Sequence, residues 1–131
     1  METTISRFFL AFVGIAYIGL GIWCALAPEK TSKAVGFALR PGQGQSEFLT
    51  VYGGLEVALG LLFLWPLCKR EEVAFPLFAC LVVHGCLVLF RTIGFSIFTG
   101  FEMTTYGLAG LEWAIFLFTV ALFFSLTPWS A

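Results

Sequence analysis

The chain has 131 residues, of which 60% are hydrophobic and 11% charged, with a mean hydropathy of +0.97 and a net charge of −1. A soluble domain carries about 25% charged residues. There is too little polar surface here to cover a water-exposed globule, so the composition is that of a single-domain polytopic membrane protein. The near-neutral balance points to no nucleic-acid partner, and no basic tail is present to grip anionic lipid headgroups.

Four apolar segments are each long enough to cross a hydrocarbon core, which takes about 20 helical residues. They run over about 7–27, 46–67, 73–95 and 104–126. Lipid cannot satisfy free backbone groups, so each is expected to be a complete helix. The connections are one longer polar stretch, "PEKTSKAVGFALRPGQGQ", a charged one, "CKREE", and a mixed one, "SIFTGFEM". Two tight connections favour an all-α, four-transmembrane-helix bundle running up-down-up-down.

The first segment also resembles a signal peptide, with Arg7 before the apolar run and "ALA" at residues 25–27. Its apolar run is longer than the 7–15 residues of a signal core, and Pro28 would follow the cut directly. It is read as a membrane helix. In the long connection, Pro28 ends that helix, and "SKAVGFALR" has the mixed character of a segment lying in the interface. "PGQGQS" then reads as a Gly-rich turn, with Ser46 as N-cap and Glu47 in the first turn of the second helix. Flanking charges nearly balance between the two sides, Arg7, Lys69 and Arg70 against Lys30, Lys33 and Arg40. Orientation is therefore close to a tie, leaning to an inside N-terminus. The longer loop and Glu102 share the side opposite the termini, called here the far side.

Within the spans the ionisable residues are Glu56, His84, Arg91 and Glu112, with Glu47 and Glu102 at the edges. At a rise of about 1.5 Å per residue, Arg91 lies roughly 6 Å from the far side, Glu112 about 12 Å, Glu56 about 15 Å and His84 about 17 Å. All fall in the far half or near the midplane. Cys80, His84 and Arg91 form one polar stripe on the third helix, so Arg91 is expected to pair with Glu112 or Glu56, with His84 as a neutral neighbour. Glu47 and Glu56 point to opposite faces of an unbroken helix unless Gly53-Gly54 bends it. Tyr52 stands one turn before Glu56, placed to hydrogen-bond a carboxylate or a ligand. Such a cluster either fixes helix register or lines a cavity for the polar head of a lipophilic molecule, or relays protons; ionisable groups at this depth are biased toward function.

The remaining residue types are expected to be structural. The glycines at 14, 19, 21, 53, 54, 60, 107 and 110 are read as close helix contacts. The four cysteines (24, 68, 80 and 86) are read as buried small apolar residues. Trp23, Trp65 and Trp129 are read as interfacial anchors, and Trp113 as a wall of the polar cavity. No metal-ligand spacing and no nucleophile–base arrangement is present, since Cys80, His84 and Cys86 on one helix are too few ligands. No cofactor is expected, and the reading leans away from an enzyme.

"SEFLTVYGGLEVALGLLFL", "LFRTIG" and "LEWAIFLF", with "LAPEK" after the first helix, resemble a bacterial four-span domain-of-unknown-function family of the DoxX-like group. The resemblance covers most of the chain and places Glu47, Tyr52, Gly53, Gly54, Arg91 and Glu112 on its motif. Two positions depart from it. Leu49 stands where family members often have Arg, and Thr99-Gly100 where they often have Asp-Gly. Arg91 is then the sole cation for several carboxylates, leaving at least one to be protonated or to reach water. The group's better-understood relatives look like accessory subunits of quinone-linked oxidoreductases or scaffolds in lipid and sterol pathways. The resemblance therefore implies a bacterial inner-membrane protein assisting with lipophilic substrates, partnered by membrane lipid, a lipophilic small molecule, a partner membrane subunit or a second copy of itself. A proton-coupled small transporter or channel is the alternative, weakened by the lack of ionisable residues in the near half.

Overall fold

The computed structural model describes residues 2–69 and 72–126. Its helices are α1 (Glu2–Leu26), α2 (Pro28–Ala34), α3 (Gln43–Cys68), α4 (Ala74–Ile97) and α5 (Met103–Leu126). All but α2 are long and apolar enough to cross a membrane, as expected of an integral membrane protein. Each extends a little beyond its most apolar stretch, because helical hydrogen bonding continues into the polar interface where hydropathy no longer marks it. The expected anchor Trp129 lies outside the described residues, as do Arg70 and Glu71 of the charged connection.

The four spans meet in chain order, α1 against α3, α3 against α4, α4 against α5, and α5 back against α1. The most extensive contacts are α1 with α3 and α4 with α5, so the bundle is two tight helical pairs laid side by side. Between 17% and 28% of the most apolar stretch of each span is buried, which leaves most of the apolar surface for lipid.

Glycine explains the close fit of the first pair. A Cβ on Gly14 would stand 2.8 Å from the Gly60 carbonyl oxygen, and one on Gly60 would stand 2.7 Å from that of Gly14. One turn or two toward the far side, a Cβ on Gly21 would stand 2.8 Å from the Gly53 carbonyl oxygen. Backbones approach this closely only where side chains are absent. Gly19, Gly54, Gly107 and Gly110 differ from the sequence expectation, since nothing lies within 4 Å of a Cβ built on any of them. They are exposed and make no close contact with another helix among the described residues.

The near half is filled by a core of Leu10, Val13, Phe63, Val73, Leu77, Cys80 and Leu122, all buried. Phe63 and Leu77 are fully enclosed. Cys24 is also buried, but Cys68 and Cys86 are exposed, contrary to the expectation for the cysteines. At the near end of α3, the Trp65 Nε1–H donates to Glu72 Oε2 at 2.7 Å, tying the helix to the connection that follows it.

On the far side, the short helix is "PEKTSKA", earlier than the "SKAVGFALR" segment expected to lie in the interface. Pro28 starts it, since proline's missing N–H costs nothing at a first turn. Thr31 and Ser32 are buried, and their hydroxyls donate back to the Ala27 and Glu29 carbonyls. Gly42, with φ +77°, makes the turn into α3. Its N–H donates to the Gln45 side-chain oxygen at 3.1 Å, and the Gln45 amide donates to Glu29 at 3.0 Å. Helix α3 therefore starts at Gln43, capped from inside by Gln45. Ser46 is not its N-cap, and Glu47 lies beyond its first turn.

Candidate functional site

Helix α3 changes winding where the sequence carries "LTVYGGL". Residues Leu49–Leu55 form a π-helical segment between α-helical flanks. Its i→i+5 hydrogen bonds widen the backbone, a departure found mostly at functional sites. The Thr50 hydroxyl donates to the Ser46 carbonyl at 2.9 Å, a local competition with the regular backbone bonds that helps distort a helix. The Gly53-Gly54 pair follows, with its low cost for unusual winding. The helix is thus rewound at the glycines, rather than bent into bringing Glu47 and Glu56 together.

Downstream of this segment, Glu56 points into the bundle and Glu47 does not. Glu47 is exposed. Glu56 is half-buried beside Gly21, and its Oε2 is buried without a hydrogen-bond partner among the described residues. It lies within electrostatic range of Glu112 and of Tyr17. Tyr52 is turned another way. Its ring stacks on Phe48 at 4.6 Å and meets Phe37 edge-on at 5.8 Å, closing an aromatic cluster under the far-side loop. Its hydroxyl bonds neither carboxylate, although Arg91 and Glu56 are both within electrostatic range.

Arg91 and Glu112 form a two-point ion pair between α4 and α5. Arg91 Nε–H donates to Glu112 Oε2 at 2.8 Å, and Nη2–H donates to Oε1 at 2.5 Å. The fork of a guanidinium matches the two oxygens of one carboxylate, which makes this the strongest geometry available to the pair. Of the two candidate partners, Glu112 has the arginine and Glu56 does not.

His84 also lies apart from the ion pair. It is buried, and its Nδ1 lies 2.9 Å from the Cys80 carbonyl oxygen. A carbonyl only accepts, so Nδ1 carries the ring proton and Nε2 is left as an acceptor. The Tyr17 hydroxyl, 3.2 Å away, donates to it. Phe63 packs edge-on against Tyr17 at 5.4 Å and covers the imidazole at 6.2 Å. Below, the Cys80 sulfur lies 3.5 Å from Thr119 Oγ1, whose hydroxyl donates to the Ile115 carbonyl at 2.7 Å. Tyr17 and Thr119 were missed by the sequence reading. The signal for Tyr17 was a hydroxyl-bearing aromatic in the middle of a span, among apolar neighbours that need none.

A cavity lies on the outside of the α4–α5 pair, at its far end. It encloses about 390 Å³ and opens toward lipid. Leu87, Phe90, Phe95 and Phe101 make its apolar wall, and among the described residues Arg91 is the one charged residue that lines it. Cys86, Gly94 and Thr105 complete it. The mouth is braced by aromatic packing, with Phe95 against Phe101 at 4.8 Å and Phe95 stacked on Tyr106 at 5.4 Å. Of the residues expected to share one cavity, Arg91 lines this one, Glu112, Glu56 and His84 do not, and Trp113 packs on Phe116 at the bundle surface. The groove residues Gly94, Phe101 and Thr105 carried no signal of their own, since small and aromatic residues are ordinary in any membrane helix.

A family described as a domain of unknown function (DUF4345) matches residues 5–123. No curated protein and no solved structure matches the chain.

Proposed function

We propose that this chain, which belongs to the DUF4345 family, is a small membrane protein that binds a lipophilic molecule in the groove between α4 and α5, with Arg91 holding the molecule's polar head. The observation that carries this reading is the one cation among the described residues that line a mostly apolar, lipid-facing cavity of about 390 Å³. Ligand sites pair a large apolar wall with a few placed polar groups, and a guanidinium at this depth is costly unless it is used. Glu112 supports it from the bundle side, fixing its angle by two hydrogen bonds. The ligand class is lipid-, quinone- or sterol-like. An accessory role beside a partner membrane subunit or a second copy, placement in a bacterial inner membrane, and kinship with the DoxX-like group all belong to the same proposal. The last of these rests on "YGGL", "LFRTIG" and "LEWAIFLF".

Native mass spectrometry from lipid nanodiscs tests it. The wild-type protein is expected to retain a small lipophilic adduct, and Gly94→Leu to lose it. No atom lies within 4 Å of a Cβ on Gly94, so leucine fills the groove without displacing the helix. A wild-type protein that retains no adduct, or a Gly94→Leu protein that retains it fully, would sink the reading.

Proton-coupled transport is the second reading. What favours it is the hydrogen-bonded run Tyr17, His84, Cys80 and Thr119, which continues the polar residues below Glu56. Against it stands the apolar core of Leu10, Phe63, Leu77 and Leu122 at the near end. Proton flux in proteoliposomes that disappears with His84→Phe would establish transport in place of binding.

A further inference from the structure

We infer that the Arg91 groove selects amphipathic molecules whose head is an uncharged hydrogen-bond acceptor, such as a carbonyl or ether oxygen, over those with an anionic head; this rests on the groove reading above. An arginine in an apolar wall would ordinarily be taken as a receptor for carboxylate or phosphate. Three features of this site oppose that.

The first is charge balance. Glu112 occupies Nε and Nη2 of the guanidinium, so its positive charge is already matched. An anion entering the groove meets a neutral pair rather than a free cation.

The second is the sign of the surroundings. Glu102, which follows the lining residue Phe101 in the chain, is exposed. No second basic side chain lines the cavity. Beyond the ion pair, the described lining residues thus supply no net positive charge to draw in an anion.

The third is depth. Arg91 stands six residues from the last residue of α4, about 9 Å along the axis. A helix of 24 residues is about 36 Å long, against a hydrocarbon core of about 30 Å. Arg91 thus lies roughly 6 Å inside the hydrocarbon boundary. A charged head would have to leave water to reach it, with no net opposite charge to offset the loss. An uncharged head pays far less for the same descent.

What the groove does offer is donors. Arg91 Nη1 makes no hydrogen bond to any described residue, and the Thr105 hydroxyl makes none either. Arg91 and Thr105 are both lining residues. A carbonyl or ether oxygen satisfies such donors without adding charge, and its alkyl or ring portion lies along Leu87, Phe90 and Phe95.

The test uses the full chain in zwitterionic phosphatidylcholine nanodiscs, with two chain-matched photoreactive probes. Each carries a mid-chain diazirine, one ending in a methyl ester and the other in a sulfonate, and labelled residues are located by mass spectrometry. The ester probe is expected to label the groove roughly tenfold more than the sulfonate, the size of one modest interaction difference. Glu112→Gln is expected to shift the ratio toward the sulfonate, because it unmasks the charge on Arg91; a merely structural Glu112 would lower both labels together. Gly94→Leu is expected to suppress both. Equal or stronger sulfonate labelling of the wild type, still suppressed by Gly94→Leu, overturns the head preference and leaves the groove reading standing. Labelling that Gly94→Leu does not change, or no groove labelling at all, overturns both. Should Glu112→Gln fail to fold, the wild-type ratio decides alone.

Discussion

Arg91 and Glu112, one on α4 and one on α5, meet edge to edge through two hydrogen bonds of 2.8 and 2.5 Å. Their side chains are 27% and 14% exposed, so the pair stands at the rim of the bundle rather than in its centre. That position lets one arginine do two things at once, clamping the α4–α5 pair and presenting its outer edge to the groove.

The clamp has a measurable value. Removing one member of a buried ion pair costs about 3–5 kcal/mol because the other charge is stranded, whereas exposed pairs are worth about 0–1 kcal/mol. Arg91→Leu or Glu112→Leu alone is expected to lower stability by about 2–4 kcal/mol, and the double substitution by much less. Unfolding in detergent, read as a double-mutant cycle, measures this. Additive losses would mean that the two residues do not depend on each other.

The contact between α1 and α3 gives a sharper contrast. Gly60→Ala would place its Cβ 2.5 Å from Ile18 Cγ1 and 2.7 Å from the Gly14 carbonyl oxygen, and the second neighbour is backbone that cannot turn aside. The expected loss is about 1–3 kcal/mol, the usual cost of overpacking. Gly107→Ala meets nothing within 4 Å and removes the helix penalty of glycine, so it is expected to be neutral or to stabilise by up to about 1 kcal/mol. Thermal melts of the two variants in one detergent compare them directly. Equal effects would show that α1 and α3 do not approach as closely as described.

How much of this was legible from the sequence depended on whether the signal was local. Four spans followed from apolar runs that only helices can carry across lipid, and depth counting put Arg91 and Glu112 within reach of each other. Which carboxylate takes the arginine was not decidable by depth, because Glu56 and Glu112 lie at similar levels. Glu56 is directed by the winding of α3 and its seat beside Gly21, a long-range packing fact. The π-helical segment was signalled only as a glycine pair that allowed a bend. Likewise, a glycine reads the same whether it touches a neighbouring backbone, as Gly60 does, or faces outward, as Gly107 does. The groove was illegible because its wall is made of the same leucine and phenylalanine that face lipid everywhere else.

The buried link from Tyr17 to His84 makes a prediction about protons. Tyr17→Phe keeps the ring packed on Phe63 and removes only the donor to Nε2. A buried acceptor left without its donor costs about 1–3 kcal/mol, so the variant is expected to lose stability by that amount. Nitrogen-15 NMR of the single histidine gives an independent readout. In the wild type, Nδ1 is expected to show the protonated, pyrrole-like shift, held there by the Cys80 carbonyl at 2.9 Å. The Nε2 resonance should move on Tyr17→Phe while Nδ1 stays. The opposite tautomer in the wild type, with the ring in the same orientation, would mean that Nε2 carries the proton and that Tyr17 accepts rather than donates.

The π-helical segment leads to the last prediction. Its wider winding holds one residue more than an α-helix would over the same height. Gly54 is the residue to remove, because nothing packs within 4 Å of the Cβ position there. Deleting it is expected to restore α-helical winding and to leave the residues before it on the same face relative to Glu56, because the wider turn had absorbed the extra residue; from a regular α-helix the same deletion would turn them by about 100°. Phe48 and Tyr52 would then keep their packing on Phe37. Contacts downstream, from Glu56 to the Gly60–Gly14 crossing, would remain. Paired cysteines at Phe37 and Phe48, in a chain whose four native cysteines are replaced, read this as cross-linking that persists after the deletion. Cross-linking that is lost on deletion would show that the segment is not wound as a π-helix.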